Sequence, residues 1–247
     1  MTTDSKENLI ERLFGAGAHF GFGKSRRHPT VVPYLFGSKQ GTDIFDLEKT
    51  SALLLGVKAL LNEAGKKGET VLFVGTKNEA AGLVKEAAES IAMPYVVNRW
   101  IGGMLTNFSE MKKRINRLSD LTLQGESGEL ERKYTKKERV MINRELEKLT
   151  FNFSGIKALE RNPHYMLVVD PRHDVIAVRE ARQLDIPVIA LSSSDGNLTD
   201  ITYPVIANDA LRASVSLILK ELVEAYAEGR KEYEPAAAKD ATTRRRA

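Results

Sequence analysis

The chain has 247 residues, of which 42% are hydrophobic, and it carries a formal net charge of +4 with no cysteine. This length allows one large domain or two small ones with a substantial core. The lack of cysteine excludes disulfides and cysteine-ligated zinc, and no apolar run reaches the roughly 18 residues that a membrane span requires. We therefore expect a cytoplasmic protein with no membrane partner and no metal.

The N-terminal region is locally basic. Residues 12–42 contain five Lys or Arg side chains and no acid, and His28 lies in the same stretch. An unbalanced basic segment is typical of phosphate-binding surfaces. The alternative, which the sequence leaves open, is a solvated loop whose charge is balanced by acids elsewhere in the fold. The five residues are Arg12, Lys24, Arg26, Arg27 and Lys39.

Short apolar segments alternate with helical segments through most of the remaining chain. The apolar segments lack polar alternation, which indicates a parallel sheet covered by helices on both faces. The pattern predicts an α/β fold with a doubly wound, flavodoxin-like or Rossmann-like parallel sheet, formed by residues 1–103 and 151–228. Strands are predicted at 71–74, 95–97, 166–169 and 187–191, an accessory strand at 43–46, and helices at 78–91, 175–184 and 210–227.

Residues 104–150 interrupt this alternation with two helical segments and no strand between them. Apolar residues at positions 104, 108, 111, 115 and 118, and again at 142, 146, 149 and 153, recur at intervals of three and four. That spacing is typical of the heptad seam of paired helices. We expect an antiparallel coiled-coil hairpin inserted into the α/β domain. Residues 229–247 are predicted to form a flexible basic tail that ends in Arg244, Arg245 and Arg246.

The single tryptophan lies where the predicted sheet leads into the hairpin. Trp100 follows Arg99 and precedes Gly102 and Gly103. A cation and a bulky aromatic on a glycine-rich turn suit stacking on a base or binding a phosphate. Because Trp is highly buried on average, its place at the junction favours a packing anchor that sets the angle of the hairpin. The cations on either side of the junction are Lys77, Arg99, Lys112, Lys113 and Arg114.

A doubly wound sheet also suits a nucleotide-binding enzyme, because ligands bind at the carboxyl ends of its strands. The loop at residues 75–77 could cradle a phosphate, and Asp170 could act as a base or metal ligand. However, the loop lacks the glycine spacing of dinucleotide-binding and P-loop motifs. No nucleophile, base and orienting group can be assembled from the sequence. We expect no catalytic residue, cofactor or small-molecule substrate, and a nucleotide-binding metabolic enzyme remains the alternative.

Six motifs, in order along the chain, resemble the small ribosomal subunit protein two family in its bacterial form. They include GAHFG at 17–21, VGTK at 74–77, NRWIGGMLTNF at 98–108, TKKE at 135–138, VDP at 169–171 and YP at 203–204. The resemblance implies a parallel α/β domain with a protruding coiled-coil hairpin and no catalysis. It also implies that the protein binds small-subunit ribosomal RNA at the junction of head and body, and helps small-subunit protein one dock there.

This chain departs from the family pattern at a few positions. Members of the family often have an aromatic residue where Arg27 stands and a histidine where Phe22 stands. The mechanism implied is electrostatic, since cations that neutralise phosphates fix the register and orientation of a protein on folded RNA. Trp100, Gly102 and Gly103 are predicted to build the junction with the hairpin. RNA contact is predicted for Lys24, Arg26, Arg27, His28, Lys39, Lys77, Arg99, Lys112, Lys113 and Arg114.

Overall fold

The structure is a computed structural model that describes residues 3–244 of the chain. Its helices are α1 (Thr3–Gly15), α2 (Leu47–Lys67), α3 (Asn78–Ser90), α4 (Phe108–Glu126), α5 (Glu129–Lys133), α6 (Lys136–Phe153), α7 (Val175–Gln183) and α8 (Arg212–Arg244). Its strands are β1 (Phe20–Gly23), β2 (Leu35–Lys39), β3 (Thr42–Phe45), β4 (Val71–Val74), β5 (Tyr95–Val96), β6 (Tyr165–Val169), β7 (Val188–Ser192) and β8 (Tyr203–Ile206). Short 3-10 turns lie at Lys24–Arg26, Pro29–Tyr34 and Ser154–Ile156.

The centre of the molecule is a parallel sheet with the strand order β5-β4-β6-β7-β8. Every residue of β4 and of β7 is buried, because helices cover both faces of the sheet. Helices α2, α3 and α8 pack on one face, where Phe73 and Leu167 point. Helix α7 and the adjoining ends of α4 and α6 pack on the other, with Leu72 and Val168. The predicted α/β class and parallel sheet are confirmed.

A second, antiparallel sheet in the order β1-β3-β2 lies beside β8. Gln40 and Gly41 both have positive φ, 52° and 79°, which suits the tight turn that joins β2 to β3. Val31 and Phe45 pack on Ile206 of β8 and so attach this sheet to the main body. The sequence predicts only the β3 part of it, because the glycines of β1 and β2 dilute the strand pattern.

The insertion between β5 and β6 contains α4, α5 and α6. The buried apolar residues of α4 recur at helical spacing and face the neighbouring helices and the α/β body. Helices α4 and α6 are in contact, since Arg117 in α4 donates to Glu145 in α6, and their antiparallel arrangement stays a prediction. A capping box begins α6, in which the Thr135 backbone N donates to Glu138 Oε2 at 2.9 Å. The coiled-coil packing of this pair stays a prediction.

Two boundaries differ from the sequence pattern. Helix α4 begins at Phe108 rather than at residue 104, because residues 101–107 form a turn in which Gly103 has a φ of 85°. Helix α8 runs past residue 228 into the segment predicted to be a tail. Arg245 and Arg246 lie outside the described residues. Among the helices that the structure describes, none has the length and apolar character needed to cross a membrane.

Candidate functional site

The junction between the sheet and the helical insertion is organised by one carboxylate, Glu180 of α7. Its Oε1 accepts hydrogen bonds from Trp100 Nε1 at 3.0 Å and from the Gly103 backbone N at 2.8 Å. Its Oε2 accepts from the backbone N of Leu105 at 3.0 Å and of Thr106 at 3.3 Å. The turn at 101–107 therefore wraps its backbone N–H groups around a buried negative charge. Trp100 is only 7% exposed and lies in this cluster as a packing residue.

Hydrogen bonding decides the ionisation of Glu180. Its burial alone would raise the pKa, but the bonds from Trp100 and the turn hold that pKa below its usual value. An ionised carboxylate at this point fixes the path of the chain from β5 into α4. Of the two glycines predicted here, Gly103 has the positive φ that the turn requires, whereas a Cβ on Gly102 would meet open space.

Glu180 was not predicted as a site residue, because an acidic residue on a surface helix is usually exposed to solvent. One signal was present, since position 180 lies three residues, close to one helical turn, after Ala177, which is buried. An acid among core-facing positions of a helix needs polar partners, and the turn supplies them.

The basic N-terminal segment is partly balanced by acids brought in by the fold. Arg27 Nε donates to Asp43 Oδ2 at 2.8 Å, and its Nη2 also pairs with the fully buried Asp43. Ser38 Oγ donates to the same carboxylate at 2.8 Å. Arg12 pairs with buried Glu221 of α8 at 2.7 Å. Two of the five basic residues of this segment are therefore structural ion-pair partners.

The remaining basic residues of the segment are exposed. Lys24 and Arg26 lie on the 3-10 turn after β1, and Lys39 ends β2. The Arg26 guanidinium lies 5.9 Å from the centre of the Phe22 ring, a cation–π distance. His28, by contrast, points back to its own turn, where Nδ1 lies 2.8 Å from Thr30 Oγ1.

Lys77 lies at the carboxyl edge of the parallel sheet among acids. Its Nζ is 2.9 Å from Asp170 Oδ2 and 3.5 Å from Asp209 Oδ1, and the side chain is 18% exposed. Burial would lower the pKa of Lys77, but Asp209 and Asp170 outweigh it and raise that pKa. Burial and the neighbouring charge of Asp170 raise the pKa of Asp209 to about 7, against the opposing charge of Lys77. Lys77 thus neutralises internal carboxylates.

An acid of the neighbouring element also contacts the loop at 75–77. Asp174, which begins α7, accepts from the Thr76 backbone N at 3.0 Å and from Thr76 Oγ1 at 2.7 Å. Thr76 precedes the N-cap residue Lys77, and α3 has no side-chain cap. This contact ties the loop to α7, and the nucleotide-binding alternative stays a prediction.

The cations at the junction and on α4 are open to solvent. Arg99, Lys112, Lys113 and Arg114 are all exposed. Lys113 pairs with Glu110 at 2.6 Å, and Lys112 reaches the backbone O of Glu160 at 3.4 Å. Within the described part of the chain, Arg99 and Arg114 form no salt bridge. The structure therefore brings part of the predicted RNA-binding set to the surface and binds Arg27, His28 and Lys77 internally.

Comparison with known proteins agrees with the motifs. The sequence model of the family described as Ribosomal protein S2 matches residues 13–229. A small ribosomal subunit protein uS2 of Geotalea uraniireducens is 40% identical over 220 residues, 89% of this chain and 86% of that protein. One from Thermus thermophilus is 41% identical over 88% of this chain and 85% of its own length. One from Mesoplasma florum is 41% identical over 91% and 84%. The chain belongs to the ribosomal protein S2 family.

Proposed function

We propose that this chain is a structural, RNA-binding component of the small ribosomal subunit and acts in the cytoplasm, in translation. The observation that carries the proposal is the family membership, which extends over residues 13–229. Its relatives bear the name of a small ribosomal subunit protein. The partners are small-subunit ribosomal RNA and neighbouring ribosomal proteins, and the role requires no catalysis.

The exposed cations support an electrostatic mechanism. Lys24, Arg26 and Lys39 extend from the small sheet, while Arg99 and the Lys112–Arg114 cluster extend from the junction and α4. Each is free to neutralise a phosphate without first breaking an internal pair with a buried acid. Because phosphate contacts fix position rather than sequence, recognition would come from the shape of the folded RNA.

Salt dependence tests this mechanism. About six phosphate contacts should lower the affinity of the purified chain for a small-subunit ribosomal RNA transcript roughly a thousandfold between 50 and 200 mM salt. Filter binding measures the slope of log affinity against log salt concentration. A chain that fails to bind the transcript, or binds it with no salt dependence, would contradict the proposed function.

The proposal extends to a position at the junction of head and body and to the docking of small-subunit protein one. Both follow from the family resemblance of the six motifs. Small subunits assembled without this chain should lose protein one during sedimentation, and adding the chain back should restore it. Subunits that retain protein one without this chain would contradict the docking role.

A further inference from the structure

A groove runs between α4 and α6 next to the junction with the α/β body. It has a volume of about 460 Å³, within the range of pockets that hold small-molecule ligands. Residues spaced i, i+3, i+4 and i+7 on each helix form its two walls, so that it follows the axis of the pair. Ile101 of the junction turn and Leu149 of α6 supply apolar surface within it.

The groove carries an excess of positive charge. Its two acids are already paired, Glu110 with Lys113 at 2.6 Å and Glu145 with Arg117 at 3.1 Å. Its two other cations, Arg114 and Lys148, form no salt bridge with any residue that the structure describes. They extend from opposite walls, one from α4 and one from α6. The groove therefore offers two uncompensated cations to an anionic ligand.

Arg117 presents a planar surface in the same groove. Its Nε and Nη2 donate to the two oxygens of Glu145 at 3.1 and 3.3 Å. This forked pairing restricts the guanidinium to one orientation. A held guanidinium plane, unlike a lysine ammonium, suits stacking by a nucleobase.

We infer that this groove binds an unpaired nucleotide segment of ribosomal RNA, with its phosphates at Arg114 and Lys148 and a base against Arg117 and Leu149. The inference rests on the proposed function and specifies the site through which it acts. An acidic peptide would satisfy the two cations, but it would leave the guanidinium plane and the apolar wall without matching groups.

Removal of the two cations tests the phosphate contacts. The full chain carrying Arg114→Gln and Lys148→Gln should bind a small-subunit ribosomal RNA transcript about tenfold more weakly. The slope of log affinity against log salt should fall by about 1.4, since each single-strand phosphate contact contributes roughly 0.7. The matched control carries Lys67→Gln and Lys231→Gln, which remove two exposed charges from α2 and α8 on the opposite face of the sheet. It should bind within twofold of the unmodified chain.

Arg117→Lys tests the stacking, because it keeps the charge and the pairing with Glu145 but removes the plane. It should weaken binding about fivefold with no change in the salt slope. A thermal melt of each variant should match the unmodified chain, since all these side chains are exposed.

The outcomes separate the inference from the proposed function. If the double variant binds the transcript as the unmodified chain does, the groove inference is wrong and the proposed function stands. If the unmodified chain fails to bind the transcript, the proposed function fails as well. An oligoglutamate peptide that binds the chain in a way that depends on Arg114 and Lys148, and displaces the RNA at equal concentration, would overturn the choice of RNA.

Discussion

The two sheets and the helical insertion both carry clustered cations, but they differ in how many of these cations pair with internal acids. In the small sheet Arg27 is paired with Asp43, and at the edge of the parallel sheet Lys77 lies between Asp170 and Asp209. On α4 and α6, cations such as Arg114 face solvent and form no salt bridge within the described residues. An acid-free stretch of sequence is therefore only partly an unbalanced surface, since distant acids pair with some of its cations.

Paired and exposed cations should therefore differ in whether their removal affects stability or RNA affinity. Loss of a cation paired with a buried acid leaves an uncompensated charge inside the protein, which lowers stability. Loss of an exposed cation changes stability little and acts on the affinity for a polyanion. The junction at Glu180 joins the two regions and combines a buried charge with control over the position of the insertion.

Glu180→Gln should give the largest effect. The amide NH₂ of Gln would face backbone N–H donors of the turn at 101–107, so several buried donors would lose their acceptor. We expect the free energy of unfolding to fall by about 3 kcal/mol. Urea unfolding measures it, with Gln183→Ala on the exposed side of the same helix as a control that should stay within about 0.5 kcal/mol. Equal stability of Glu180→Gln and the unmodified chain would show that the charge does not organise the junction.

Asp209→Asn should remove one source of pH dependence from the free energy of unfolding. An unfolded aspartate ionises near 3.8, whereas the folded pKa of Asp209 is about 7. Between these values the folded protein keeps a proton that the unfolded chain has lost, so Asp209 stabilises less and less as the pH rises through this window. The variant should match the unmodified chain near pH 4 and exceed its free energy of unfolding by about 2 kcal/mol near pH 8.

Urea unfolding across this range checks the Asp209 prediction, with exposed Asp120→Asn on α4 as the control. The control should keep the pH profile of the unmodified chain. If Asp209→Asn also kept that profile, then Asp209 would be ionised throughout the range, as a full partner of Lys77.

Arg27→Ala and Arg114→Ala compare the two regions directly. Arg27→Ala deprives Asp43 of its cation and should lower the melting temperature by roughly 5 °C. Arg114→Ala should shift it by no more than about 1 °C. At a temperature where both variants are folded, Arg114→Ala should bind RNA more weakly than the unmodified chain, whereas Arg27→Ala should bind it equally well. Calorimetry and filter binding test the pair, and equal behaviour of the two variants would remove the distinction between the regions.

The sequence pattern predicted those parts of the fold whose signal is local. Strands β4, β6 and β7 consist almost entirely of apolar residues, and each lies close to its predicted position. Strands β1 and β2 were missed because their glycines and polar residues obscure the alternation. The capping box at Thr135 and Glu138 could be predicted from the sequence, because both residues lie within one helical turn.

The partners of the site residues could not be predicted from the sequence, because the residues of each pair lie far apart along the chain. Glu180 follows its hydrogen-bond donors by 74 to 80 positions, and Asp209, which pairs with Lys77, lies in the loop after β8. Composition counts charges without showing which pairs form. Arg27 and Lys77 were therefore predicted as RNA contacts on charge alone, although tertiary packing gives them internal acids.

Arg99→Ala should give the smallest effect on stability and still separate function from folding. Arg99 is exposed and lies beside Trp100, whose indole is buried against Glu180. Removal of the Arg99 side chain should leave the melting temperature within about 1 °C, because no described contact holds it. The affinity for a small-subunit ribosomal RNA transcript should fall about fivefold, with a salt slope reduced by about 0.7 to 0.9 for one phosphate contact. If Arg99→Ala lowered the melting temperature and left RNA affinity unchanged, Arg99 would belong with Arg27 among the structural cations.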